Sequence, residues 1–225
     1  MVEYLIKRCV QWPELKGEWD GPVWGKVEEI PISIFKLASS DHRPRVRAKL
    51  LYDDDRIYGM FDVQDNYVRS VRTNFQDMVC LDSCVEFFVL PKEDAGYINF
   101  EFNCGGTLLA AYIADWKPDE RGNWKTRVDL TSEDAERIEI YHSMPKVVEP
   151  EIQEPTNWRI EFSIPFAIFE KYVGPLGDIP GQEWRANLYK CADETSHPHW
   201  ASWSPCEDAR FHYPEYFGLI RFEAP

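Results

Sequence analysis

Residues 79–103, VCLDSCVEFFVLPKEDAGYINFEFN, hold two blocks of alternating residues joined by a connection that carries Pro91 and Gly96. The pattern predicts two antiparallel strands and their loop. In the second block Tyr97, Asn99, Glu101 and Asn103 share one face, and Ile98, Phe100 and Phe102 share the other. In the first block Val85, Phe87 and Val89 make an apolar face. Asp82, Cys84, Glu86 and Phe88 lie opposite, with an acid in mid-strand. Such an acid either sits in water near a sheet edge or has a hydrogen-bonding task on a sheet face.

The same alternation extends in both directions. Residues 47–65, RAKLLYDDDRIYGMFDVQD, read as a hairpin, with strands Arg45–Tyr52 and Arg56–Gln64 around an Asp53–Asp55 turn. Upstream, Lys26–Ile32 reads as a strand, and residues 1–25, rich in Trp and Gly, as an irregular lead-in. Asn66–Met78 reads as a long loop. Further strands are expected at Leu108–Ile113, Trp124–Leu130, Arg137–Met144, Trp158–Ile164, Trp184–Ala192 and Phe217–Phe222. Trp116–Trp124 reads as a charged turn, and Pro145–Pro155 as a connection rather than a domain boundary. After Trp158, Ile160, Phe162 and Ile164 on the inward face, Pro165 stops the strand and FAIFEKYV makes a helical turn or two. Many short strands with little helix predict an all-β chain. The expected fold is one two-sheet antiparallel β-sandwich over residues 1–225, immunoglobulin- or jelly-roll-like, with one or two short helical turns.

The bulk numbers agree with a single globular core: 225 residues, 44% hydrophobic and 15% aromatic. The net charge of −14 argues against nucleic acid or an anionic membrane as partner. It leaves neutral ligands, cations and basic proteins, and sets no oligomeric state. No stretch approaches eighteen apolar residues. The N-terminus lacks the apolar run of a signal peptide, so the expectation is cytoplasmic if that end is native and exported otherwise. Cys9, Cys80, Cys84, Cys104, Cys191 and Cys206 include no close CxxC pair and are expected as reduced, mostly buried thiols.

Six segments, in order, resemble the carbohydrate-binding module family 9-like domains, a group of ligand-binding β-sandwiches. They are LDSCVEFFV (81–89), YINFEFN (97–103), WRIEFSIPFAIF (158–169), GQEWRANLYK (181–190), WASWSP (200–205) and FHYPEYFGLIRF (211–222). The resemblance implies a non-catalytic β-sandwich, structural calcium in some members, and recognition of sugars by stacked aromatic rings. It places Glu86 on the ligand-facing carboxylate, Asn103 on a polar neighbour, and Trp200 or Trp203 as a stacking ring. The chain departs from the pattern at Val79, where sugar-binding members carry a Trp, and at Glu101, where an Arg often faces the sugar. Weak, sub-millimolar binding is therefore expected unless Phe75 or Tyr67 supplies the second ring.

A sugar offers an apolar ring face and a rim of hydroxyls, so its site needs flat aromatics beside carboxylate, amide and guanidinium groups. If the strands adjoin as the family implies, Glu86, Glu101, Asn103, Arg159, Arg185 and Asn187 cluster on one sheet face, with Trp200 and Trp203 beside it. The competing reading of that face is a surface of mixed ion pairs. A second hypothesis is a glycosidase. Asp82 and Glu86, about 13 Å apart along a strand, are too far apart to be a catalytic pair, while Glu86 and Glu101 on paired strands could approach. A third is a haem- or metal-binding sandwich using His42, His142, His197, His199 or His212. Calcium is a further expectation, through Asp62, Asp65 or the Asp53–Asp55 turn.

Overall fold

The computed structural model describes residues 2–118, 124–207 and 211–224. In chain order the first half supplies β1 (Glu3–Arg8), β2 (Ile30–Pro31), β3 (Ile34–Phe35), β4 (Arg45–Tyr52), β5 (Arg56–Asp65), β6 (Val68–Ser70), β7 (Cys84–Leu90) and β8 (Tyr97–Asn103). The second half supplies β9 (Leu108–Pro118), β10 (Trp124–Asp129), α1 (Ser132–Ala135), β11 (Glu139–His142), β12 (Val148–Ile152), β13 (Thr156–Pro165), α2 (Phe166–Val173), β14 (Glu183–Cys191), β15 (Trp200–Ser202) and β16 (Gly218–Phe222). The chain is mostly β. The strands of residues 79–103 pair as the alternation predicts, with Val85 opposite Phe102 and Phe87 opposite Phe100. The tip of the charged turn, 119–123, lies outside the described residues.

The main ladder runs β10-β9-β8-β7-β14-β16-β1-β4-β5-β13-β11. Its two arms fold over a common core in which Phe162 of β13 stacks on Phe102 of β8, ring centroids 5.1 Å apart, and on Phe87 of β7 at 5.8 Å. Gly59 makes room for this. It pairs with Phe162 across β5–β13, and a Cβ there would come within 2.1 Å of the Phe162 ring. Val85, Phe87, Phe100, Phe102, Trp158, Ile160 and Phe162 are all buried in this cluster, which extends from Tyr4 to Phe222.

The lead-in departs from expectation. Residues 3–8 form β1, which pairs in parallel with both β16 and β4 and so joins the two arms. The pairing is therefore not antiparallel throughout. Tyr4 and Ile6 point into the core while Leu5 stays exposed, a period-two pattern too short to stand out beside the irregular stretch after it. That stretch packs over the outer face of β5 and β13. Glu161, on an outward position, is fully buried there and accepts hydrogen bonds from the Lys16 and Gly17 amides and from Trp24 Nε1. Lys26–Ile32 holds only the two-residue β2, and Asn66–Met78 contains β6, which pairs with β12 inside the proline-rich connection.

Candidate functional site

The alternation of β7 and β8 sends Glu86 and Glu101 to the face away from the main core, and the register sets them directly opposite one another. Opposed side chains on paired strands start from Cβ atoms about 5 Å apart. Both carboxyls are nearly inaccessible, 2% and 5% exposed. They form the floor of a cleft of about 410 Å³. Burial drives the Glu86 carboxyl far above the usual range, and the adjacent Glu101 adds to the shift. Burial likewise raises Glu101, against a 2.6 Å hydrogen bond from Asn99 Nδ2 and the nearby Arg127 charge. Two buried carboxyls side by side resist ionising together, which favours the protonated form of the pair.

The walls come from distant parts of the chain. Trp200 of β15 lines one side half-buried, its Nε1 donating to Asp193 Oδ1 at 2.6 Å. Burial raises the Asp193 carboxyl while that bond opposes the shift. Lys36, Ala38, Met78, Cys80, Leu109, Arg127, Cys191, Phe211 and His212 complete the lining. Phe211 stacks on Tyr189 with centroids 4.0 Å apart and carries the Lys36 ammonium over its ring at 4.7 Å. Trp200 and Phe211 are thus the two large aromatic rings of the lining, and both faces of Phe211 are occupied. His212 bonds Tyr97 through Nδ1 at 2.7 Å, and burial, with Arg127 close by, lowers its pKa to about 4.

Of the residues expected from sequence, the cleft brings together Glu86, Glu101 and Trp200. The others have different tasks. Asn103 is buried, donating to Arg72 O and Asp82 Oδ2 and accepting from the Thr107 amide, so its amide is spent on the turn after β8. Asn187 ties β14 to Ser204 through a pair of bonds, 2.9 Å and 3.2 Å. Arg185 sits half-buried on β14 opposite Leu90 and Leu219, outside the cleft lining. Trp203 is a core residue, its ring packed where Gly218 leaves space: a Cβ there would lie 2.8 Å from Trp203 Cζ3. Phe75 packs against the core and Tyr67 stacks on His197, and neither lines the cleft. Val79 is buried beneath the cleft, and the exposed Met78 beside it reaches the lining.

The expected calcium ligands do not make one oxygen site. Asp62 and Asp65 lie three apart on β5 and hence on opposite faces. Asp62 accepts from Arg47 at 2.6 Å and Arg159 at 2.7 Å. Asp65 accepts from His42 and the Asn66 amide. In the hairpin turn Asp53 is occupied by the Asp55 and Arg56 amides and the Tyr58 hydroxyl, and Asp54 pairs with Arg8. A carboxylate already neutralised by guanidinium is a poor ligand for a hard dication. Asp82, which the alternation places in the strand, precedes β7. It fastens the approach loop by accepting from the Val71 and Arg72 amides and the Arg72 side chain.

Arg127, Asp193, Lys36 and Phe211 were missed by sequence reasoning. Phe211 falls inside the FHYPEYFG segment singled out above, and Asp193 lies seven residues before Trp200. Arg127 and Lys36 have no local signal.

The sequence pattern of carbohydrate-binding family 9 matches residues 23–222. A candidate carbohydrate-binding protein from Bacteroides uniformis is 28% identical over 98% of this chain and 99% of its own, with a TM-score of 0.83. A carbohydrate binding module family 9 from Caldicellulosiruptor kristjanssonii, solved with glucose, shares the fold at a TM-score of 0.63 and 13% identity, covering 100% of this chain and 97% of that one. The same description solved with cellotriose gives 0.65 and 15%, covering 100% and 95%. No curated protein matches the chain.

Proposed function

The chain belongs to carbohydrate-binding family 9, and from that premise we propose that it is a non-catalytic module whose cleft takes a glucose-type sugar or the end of a glucan chain. The observation that carries the reading is the meeting of the Glu86–Glu101 carboxyl pair with Trp200 in one cleft. Trp200 offers a face to the C–H side of a pyranose. The carboxyl pair, whose burial favours the protonated form, accepts from and donates to vicinal hydroxyls, and Arg127 donates from the rim. Glucose in one structural relative and cellotriose in another fit the same chemistry. With one well-placed ring rather than two, affinity is expected to be modest. No metal or cofactor is needed for the contacts.

A glycosidase is disfavoured by geometry. Its two carboxyls must flank the scissile bond, one on each side. Glu86 and Glu101 stand side by side on adjacent strands and approach a ligand from the same floor.

Calorimetry with glucose, cello-oligosaccharides and a wider glycan panel tests the proposal. Stacking on Trp200 and hydrogen bonding to Glu86 should each contribute about 1–3 kcal/mol. Glu86→Gln and Trp200→Ala should then weaken binding roughly tenfold or more. A glycan whose affinity is the same in both variants binds elsewhere, and release of reducing sugar from any of them would refute the non-catalytic reading.

A further inference from the structure

A second cluster lies away from the carboxyl floor of the cleft. Residues 36–40 and 198–200 are stitched together by bonds from Lys36 N to Trp200 O, Ser40 N to Pro198 O and Trp200 N to Ser39 Oγ. This brings His42 beside His199, ring centroids 5.1 Å apart, at the end of β5 where Asp65 faces inward. One ligand atom from each of His42, Asp65 and His199 falls within 4.8 Å of the others. The His199 Nδ1 lies 2.8 Å from the His197 carbonyl, which fixes the proton on that nitrogen. Its Nε2 then carries a bare lone pair, and that atom is fully buried with no hydrogen-bond partner. Asp65 Oδ2 is likewise buried without a hydrogen bond. An orphaned imidazole lone pair close to a carboxylate, its other nitrogen oriented by a carbonyl, is the arrangement found around metal-ligating histidines.

We propose that His42, Asp65 and His199 bind a divalent first-row transition metal ion, for which two imidazoles and a carboxylate are suited donors. Calcium, which takes oxygen ligands, is not the fit. His42 Nε2 bonds Asp65 Oδ1 at 2.7 Å; the ion takes the place of the proton in that bond, and the ring carries its proton on Nδ1 instead, so that it binds as a neutral imidazole. The His42 side chain, 13% exposed, marks the way in. One group opposes the ion: the buried ammonium of Lys190, on β14, lies 3.4 Å from Asp65 Oδ2. Lys190 also donates to Cys191 O at 2.9 Å, so it is held there by more than Asp65. No other charged side chain pairs with the cluster among the described residues. The ion would fasten the strand end at Asp65 to the segment between β3 and β4 and to the one that leads into β15.

The test uses the full chain after treatment with a chelator. Zinc titrated by calorimetry should bind at one ion per chain, and excess calcium should not displace it. Cobalt(II) should give visible d–d absorption of a bound, low-symmetry site in the unaltered protein, a readout that needs no variant to fold. His199→Gln should lose that spectrum and weaken zinc binding at least tenfold. Lys190→Met, by removing the competing charge, should tighten zinc binding, and zinc should raise its melting temperature more than that of the parent chain. Absence of zinc binding by the parent chain overturns the proposal. So does zinc binding or a cobalt spectrum unchanged in His199→Gln, which would put the ion on other residues.

Discussion

At the scale of the residue, the Glu86–Glu101 pair decides the character of the cleft. Alternation identified Glu86 as a mid-strand acid on a polar face, and the register made it one half of a pair. Burial raises both carboxyls, so the folded chain keeps a proton that the unfolded chain releases near pH 4.3. Stability linked to the pair is therefore fully present below that pH and falls as pH rises toward and past neutrality. Glu101→Gln removes one charge and keeps an oxygen for the Asn99 bond. It is expected to raise the melting temperature at pH 8 by several degrees, at about 2–4 °C per kcal/mol for a domain of this size, and to change it little at pH 4. Calorimetric scans at the two pH values check this; equal shifts at both would mean that the carboxyl pair is not their cause. Asn103 and Asn187 hold the backbone instead of lining the cleft: their positions in the strands were legible, but an amide facing a backbone turn and one facing a ligand carry the same pattern. Trp203 lies just past β15, where no period shows which way its ring turns.

At the scale of the element, strands that cross the core were legible and short ones were not; β9 runs to Pro118, beyond the expected Ile113 and into the stretch expected as a charged turn. β13 and β14 show clean alternation because they cross the core with one face on it. β6, β12, β15 and α1 run three to five residues, too short for a period to show. α1 nonetheless has a marked N-terminal cap. Thr131 and Asp134 form a capping box, and Asp134 also accepts from Lys171 Nζ at 2.7 Å and Tyr172 Oη at 2.6 Å on α2. Asp134 thus links two elements far apart in the chain. Burial pushes its carboxyl up, but Lys171, Tyr172 and Thr131 outweigh that and hold it at about 2. The linked stability is present above the ordinary aspartate value near pH 3.9 and is lost as pH falls toward 2. Asp134→Ala should cost about 2–4 kcal/mol at pH 7, through the lost cap and the unpartnered Tyr172 hydroxyl. Urea denaturation at pH 7 and pH 2.5 should show the difference shrinking at the lower pH; a constant difference would assign the loss to packing instead.

At the scale of the whole molecule, β1 is the joint between the arms. It lies between β16, at the end of the chain, and β4, and buries Tyr4 and Ile6 in the shared core. Removing residues 1–8 takes away two core side chains, about 1.5–3 kcal/mol each, and leaves the edges of both arms unpaired. The truncated chain is expected to unfold at a clearly lower urea concentration, with its two arms no longer melting together. An unchanged midpoint would show that β16 and β4 hold the arms without it.

The amino-acid order by itself determined the β class, the inward phase of Phe87, Phe100, Phe102, Trp158 and Phe162, and the position of Glu86 opposite that core. These follow from period-two patterning, which a chain carries locally. Six ordered segments likewise carried the family. Only the tertiary structure decided that Glu101 stands beside Glu86, that Trp200 and not Trp203 faces the cleft, and that Arg127, Lys36 and Asp193 join them. It also gave Asp62 and Asp65 their separate partners, and set His42 beside His199. Those pairings depend on strand register and on loops meeting across more than 150 residues of chain, a separation over which no local pattern carries information.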